Sequence, residues 1–374
     1  MAWCVRSLSA GIAFAVPLIA AAYHVSPGGS DSNPGTEMKP FRTIGKAVKA
    51  VSPGDVILLE DGTYHSEGHV SDGTGGMHGY ATPVAIGKAG RADAWITLRA
   101  ENKWKAILDC DATQVSPGCD VFVTLKRGAD YWSFEDLFVT HAAYAGINTN
   151  EGASHVRIKG CKFEDIGNRR ESLEIGIVGV GFGPPEATDW QLEDNIFHHI
   201  GRTGGHYPSL DHGIYARGSD VVIRNNLFYE MNAGWGIQTS SGARNWIIEH
   251  NTFALPNPAA AGQIMLWDGG HPNSVSGIVI RANVFYEPRQ FAIATNGSIA
   301  NCTIKENVTT AKAMVDRPDE CNVTGNAVGK DLRFEKSAAG AEEFRLSPDS
   351  PGVGSGWDSL LPAAGVGGTQ ERIR

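Results

Sequence analysis

The sequence has no CxxC pair and no HExxH stretch, so two common zinc-site signatures are missing. It has no excess of basic residues: 32 Lys and Arg stand against 41 Asp and Glu, a formal net charge of −9. That balance argues against binding to nucleic acid or to an anionic membrane. Long apolar runs are absent after the N-terminus. The one such run, residues 7–22 (SLSAGIAFAVPLIAAA), is too short and too rich in small residues for a membrane span. Preceded by Arg6 and ending in Ala20-Ala21-Ala22, it reads as a signal peptide, residues 1–22, cleaved after Ala22. The competing reading is an uncleaved N-terminal anchor. Either way the rest of the chain is exported, to the extracellular or periplasmic space. Charge is modest at 20% and glycine abundant at 46 residues, which suits a turn-rich β protein better than a helical one.

What the chain does have is a repeat. Apolar residues recur at −5, −3 and +2 around a reference position that is often Asn. The copies read WSFEDLFV (132–139), VRIKGCKF (156–163), WQLEDNIF (190–197), VVIRNNLF (221–228), WIIEHNTF (246–253) and IVIRANVF (278–285). Degenerate copies follow at CTIKENVT (302–309) and CNVTGNAV (321–328). Each copy is a short strand with alternating inward side chains, a bend, and one more apolar residue. No single copy can bury its apolar row alone, so the copies must stack into continuous columns. The −3 column is Phe134, Ile158, Leu192, Ile223, Ile248, Ile280, Ile304 and Val323. The +2 column is Val139, Phe163, Phe197, Phe228, Phe253 and Phe285. Asn195, Asn226, Asn251, Asn283, Asn307 and Asn326 form a ladder inside the bend, each amide serving backbone groups that the strands leave unpaired. The expected fold is all-β: a right-handed parallel β-helix over residues 23–345, with an N-terminal capping helix in 40–51 (PFRTIGKAVKAV) and a C-terminal cap or tail over 346–374.

The same register places the cysteines. Cys302 and Cys321 both stand at −5 in successive turns, about 4.8 Å apart if the strands are adjacent, within the span of a disulfide. Cys110 and Cys119 close a short loop, and a second disulfide is expected there. Cys161 takes a ladder position and is expected to be a buried free thiol. The sequons at Asn296, Asn301, Asn307 and Asn322 are explained by the ladder and its Thr-rich turns, so no glycosylation is expected.

The segment YHVSPGGSDSNPGTEMKPFRTIGKAVKAVSPGDVILLEDGTY (23–64) resembles the N-terminal module of secreted pectate-lyase-like β-helix proteins. With the ladder, the resemblance covers most of residues 23–330. It implies a carbohydrate-active protein, but the superfamily spans lyases, hydrolases, epimerases and proteins of no known chemistry. The paired-Asp and G-H-G signatures of polygalacturonases are not found, and DHG at 211–213 is only a partial echo. The D-P-H motif of alginate epimerases is absent. So is a clear basic groove of the calcium-dependent pectate-lyase kind.

One sheet should carry the saccharide groove. Its strands align on a recurring Gly-Ile pair in AGINTN (145–150), IGIVGV (175–180), HGIYAR (212–217) and WGIQTS (235–240), with weaker members QIMLWD (263–268) and AIATNG (292–297). With the Ile inward, one outward row is Asn148, Val178, Tyr215, Gln238 and Met265. The next is Asn150, Val180, Arg217, Ser240 and Trp267. Tyr144, Glu174 and Asp211 precede the strands, and the stretch RTGGHYPSLDHGIYAR (202–217) adds His206 and His212. His212 or His206 is the expected base, Tyr215 the acid and Arg217 the neutraliser of a uronate carboxylate, the parts of a β-elimination. His212 can equally face inward as a core residue. Trp267, Asp268 and His271 lie on a neighbouring loop, where a Trp face can stack on sugar. Tyr144, Asn148, Asn150 and Gln238 complete the expected substrate contacts. Glu174 and Asp211 offer oxygen ligands for Ca²⁺, and no cofactor is otherwise expected. Three functions are ranked: a lyase on an acidic polysaccharide, a glycoside hydrolase using Glu174 and Asp211, and a non-catalytic glycan-binding surface protein. The expected partner is a polysaccharide, with no nucleic acid and no membrane after cleavage, and the chain is expected to be a monomer.

Overall fold

The computed structural model describes residues 20–66, 70–71, 81–111, 118–167, 178–202, 209–254, 262–335 and 344–357. Glu174, His206 and nearly all of the expected signal peptide lie outside them. Among the described residues no helix is long and apolar enough to cross a membrane.

Each turn of the chain visits three parallel sheets in the same order. The first sheet includes Trp132–Glu135, Val156–Lys159, Thr188–Glu193, Ser219–Arg224 and Arg244–Glu249. The second includes Lys162–Glu164, Ile196–His198 and Leu227–Tyr229. The third includes Ala145–Thr149, Val178–Phe182, His212–Ala216 and Trp235–Thr239. Strands pair with their counterparts one turn away, as in Ile158↔Leu192↔Ile223↔Ile248. The fold is a right-handed parallel β-helix. Its first sheet starts with Ala22, paired with Val56, one residue before the expected start of the domain.

The bend between the first and second sheets explains the ladder. The residue before each reference position is left-handed: Asp136, Gly160, Asp194, Asn225, His250, Ala282, Glu306 and Gly325 all have positive φ. The turn this creates leaves the next backbone N–H pointing along the helix axis, where a side-chain oxygen one turn on accepts it. The Asn195 N–H and Nδ2 both donate to Asn226 Oδ1 at 2.9 Å. The pattern repeats through Asn251, Asn283, Asn307 and Asn326. Each Nδ2 also donates to the −3 carbonyl of the preceding turn, as Asn226 does to Leu192 at 2.8 Å. Cys161 begins the file: its N–H donates to Asn195 Oδ1 at 2.9 Å. Its thiol is free and buried, and burial pushes it up to about 12.

Inside, the Phe rings of the +2 column stack face to face, with centroids 4.7–5.1 Å apart from Phe163 to Phe285. Stacked pairs of this kind contribute ~0.5–1.5 kcal/mol each beyond the area they bury. These rings also explain the glycine of the recurring Gly-Ile pair. A Cβ on Gly213 would lie 2.9 Å from the Phe228 ring, and Gly146, Gly179 and Gly236 meet Phe163, Phe197 and Phe253 in the same way. Both expected disulfides, Cys110–Cys119 and Cys302–Cys321, are formed.

At the N-terminal end the helix Ile44–Ala50 is capped by Thr43 and buries Ile44, Ala47 and Val48. At the other end residues 344–357 run back along the second sheet. There the Trp357 N–H donates to Thr252 Oγ1 at 2.9 Å and the Phe344 ring packs on Tyr229.

Candidate functional site

The outer face of the third sheet carries Asn148, Tyr215 and Gln238 of the expected site residues in one row. Its inward column is Ile147, Val180, Ile214, Ile237, Ile264 and Ile293. One expected register is therefore corrected. Val180, not Ile177, is the counterpart of Ile147, because Gly179 is the residue that makes room for Phe197. The outward row is then Thr124, Asn148, Gly181, Tyr215, Gln238 and Met265. Gly183, Arg217 and Ser240 follow two residues later. Val180 turns inward, Val178 moves to the row before, and Gly181 and Gly183 take the two outward positions. This opens a dip between Asn148 and Asn150 on one turn and Tyr215 and Arg217 two turns on. The Asn148 amide leans over it: its Oδ1 is 2.7 Å from where a Gly181 Cβ would stand. Its Nδ2 donates to Asn150 Oδ1 at 3.1 Å.

His212 stands in the row Ala145, Val178, His212, Trp235. None of this row belongs to the interior core. Ala145 and Val178 pack with Tyr144 and Tyr215, and Trp235 packs with Met265, Phe291 and Ala294. The Tyr215 ring stacks on the imidazole at 5.4 Å. His212 thus stays outside the core and yet is only 2% exposed. Burial pushes its pKa down to about 3, so the ring is neutral and a weak base near neutrality.

Asp211 is not on the outer face. It is 0% exposed, and the Arg202 guanidinium grips it in two-pronged fashion, Nε to Oδ2 at 3.0 Å and Nη2 to Oδ1 at 2.7 Å. The Arg202 N–H donates to the same Oδ2 at 2.8 Å. A carboxylate held this way anchors the start of the His212 strand. It is not placed to serve as a hydrolase acid or base, and a Ca²⁺ ion there would sit against a guanidinium. Glu174, the other oxygen ligand expected there, lies outside the described residues. Asp268 is likewise structural: its carboxylate accepts from the Gly270 and Ser298 N–H groups at 2.8 and 3.0 Å. Trp267 is half-buried at the edge of the face, and His271 is exposed on the turn beyond it. Sequence reasoning missed Arg202. Its only signal was an arginine nine residues before a buried acid, with no periodicity to link them.

Three buried side-chain atoms on or beside this face, Thr124 Oγ1, His212 Nδ1 and Arg217 Nε, have no hydrogen-bond partner among the described residues. Buried polar groups are nearly always paired, so these three atoms make this face the candidate site. Arg217 is half-buried and in no ion pair among the described residues.

The model of the Pel9A-like right-handed β-helix region matches residues 23–177, and that of the right-handed β-helix region matches residues 185–337. Both matches are to right-handed β-helix regions, and with the fold they support a pectate-lyase-like right-handed β-helix superfamily. Pectate lyase L of Dickeya dadantii is 31% identical over 156 residues, 41% of this chain and 33% of that protein. The chain thus matches about a third of the length of such curated relatives. The crystal structure of pectate lyase Pel9A is 17% identical with a TM-score of 0.55, covering 94% of each chain. A XylC protein solved with xylose is 12% identical with a TM-score of 0.58, covering 84% of this chain and 69% of that one. At these identities the solved structures establish the superfamily fold alone.

Proposed function

We propose that this protein is an exported polysaccharide lyase that cleaves a uronate-containing glycan by β-elimination on the outer face of its third sheet. The observation that carries the reading is Arg217, a half-buried cation whose buried Nε has no partner among the described residues, two residues from the Tyr215 phenol. A uronate carboxylate supplies what the guanidinium lacks, two acceptors in a matching plane. Neutralising that carboxylate acidifies the C5 proton. A base removes the proton, its electron pair forms the C4=C5 double bond, and the C4–O bond breaks. Tyr215 gives its proton to the departing oxygen. His212, with its low pKa, positions the Tyr215 ring by stacking, and the base is assigned to the other histidine of the segment, His206. Sugar rings extend along the dip at Gly181 and Gly183 toward Trp267. Likeness to pectate lyases supports the reading, as do two disulfides, which fit an oxidising compartment.

The test is a panel of uronate and neutral polysaccharides, read for unsaturated ends by ultraviolet absorbance and for reducing ends in parallel. Both signals should rise on a uronate polymer. Tyr215→Phe and Arg217→Ala should each lower kcat/KM at least ~100-fold while the folded signal is kept. Reducing ends without new absorbance overturn the lyase reading in favour of hydrolysis. Tight binding without either product would make the same face a glycan-binding surface.

A further inference from the structure

A second cluster lies away from the third sheet, at the corner where the chain leaves the second. There Glu164, His198 and Tyr229 share a register position in consecutive turns. The next residues, Asp165, His199 and Glu230, are all left-handed, with φ of 55°, 51° and 47°. That backbone turns their side chains back beside those of their neighbours. The two imidazoles stack at 3.6 Å between centroids, and Tyr229 covers the other face of His198 at 4.1 Å.

The two rings are oriented alike. Each Nδ1 faces a carboxylate of the preceding turn, His198 to Glu164 at 3.1 Å and His199 to Asp165 at 3.4 Å. Each Nε2 faces one oxygen of the following turn, Glu230 Oε2, at 2.9 and 3.6 Å. An imidazole whose Nδ1–H is held by a carboxylate presents its lone pair at Nε2, the arrangement that orients histidine toward a metal. Filling both Nε2 positions with protons instead puts two positive rings face to face. One divalent cation satisfies both nitrogens and the Glu230 oxygen together, and these ligand atoms lie within 4.8 Å of one another.

We propose that His198, His199 and Glu230 form a binding site for a first-row transition metal ion, Zn²⁺ in the first instance, with Glu164 and Asp165 as positioning residues. Two nitrogens and one oxygen suit Zn²⁺ and its neighbours and do not suit Ca²⁺, which takes oxygen ligands. The ion ties the Ile196–His198 turn to the one after it and leaves a coordination position open to solvent. The site lies at the end of the second sheet, whereas Arg217 follows a strand of the third, and it does not depend on the lyase reading.

The experiment is calorimetric titration of chelator-treated, full-length protein with ZnSO₄ and separately with CaCl₂ near pH 7.5, with thermal melting in parallel. Zn²⁺ should bind at one equivalent with micromolar affinity or tighter and raise the melting temperature, and Ca²⁺ should do neither. His199→Ala and the more exposed Glu230→Gln should each weaken Zn²⁺ binding by at least ~10-fold, and Asp165→Asn by ~10-fold through lost orientation. Metal-free melting of each variant reports whether it folds. Absence of Zn²⁺ binding by the wild type overturns the site. So does binding that survives in folded His199→Ala and Glu230→Gln but is lost in His65→Ala, because a second group, His65, Asp109 and Asp111, also brings ligand atoms together.

Discussion

At the scale of single residues, the ladder and the buried histidine make opposite demands on polarity. Each ladder Asn from Asn195 to Asn307 is buried and hydrogen-bonded to its neighbouring turns. Asn226→Ala removes the acceptor for the Asn195 N–H and Nδ2, and the donor to the Leu192 carbonyl. Unpaired buried groups cost ~1–3 kcal/mol each, so the variant should lose at least ~3 kcal/mol, measured by urea denaturation. His212 is buried, and its Nδ1 has no hydrogen-bond partner among the described residues. It titrates near 3 in the folded protein against an ordinary value of 6.5. Between those values the unfolded chain carries the extra proton. Its contribution to stability is therefore complete above pH 6.5 and falls as pH drops toward 3. The loss at pH 5 is about 2 kcal/mol. Comparing wild type with His212→Gln at pH 7 and pH 5 isolates it, since other groups titrate in both proteins. The variant should show a smaller loss by that amount. The ladder was legible in the sequence because a repeated Asn beside repeated apolar residues has one economical explanation. The state of His212 was not legible. Alternation put it two residues before Ile214 and so seemed to allow the core, but the pairing skips Gly213, and Ala145, Val178 and Trp235 share its row.

At the scale of strands and corners, the packing of one sheet sets the register of another. The Phe rings of the second sheet rise against the glycines that open the third. Gly213→Ala should cost about 1–3 kcal/mol, the range for overpacking a filled core. Combining it with Phe228→Leu should cost less than the sum of the two single changes, a coupling that a double-mutant cycle in urea would reveal. The same contact explains the register error. The string IGIVGV offers two Gly-apolar pairs, and sequence alignment takes the Gly-Ile pair. Only the position of Phe197 selects Gly179-Val180. That shift of three residues turns Val180 inward, moves Val178 to the row of His212 and puts Gly181 and Gly183 at the outward positions, which opens a dip. The left-handed corners were also hidden, because most of their residues are not glycine: Asp194, His250, Ala282 and Glu306 adopt the same backbone.

At the scale of the whole molecule, a solenoid is held by neighbour contacts, so its ends open first unless tied. The Cys302–Cys321 bond joins two of the last turns. In the loop-entropy model, a link closing a loop of this length contributes about 3 kcal/mol. The paired replacement Cys302→Ala with Cys321→Ala should lower amide-exchange protection around Ile304 and Val323 well before it affects Ile223 or Ile248. Uniform loss along the chain would refute local opening. The sequence by itself determined the β-helix, its columns, its ladder and both disulfides, because those follow from periodic burial and from side chains that repeat at one place in every turn. Only the tertiary structure decided which polar residues are available. Asp211 is claimed by Arg202 nine residues away and Asp268 by a turn, while Arg217 Nε has no partner among the described residues. The His198, His199 and Glu230 group arises from side chains about thirty residues apart in sequence that stack in adjacent turns. Pairing of this kind depends on which side chains the stacked turns bring within ångströms of each other, and no one-dimensional pattern records that distance.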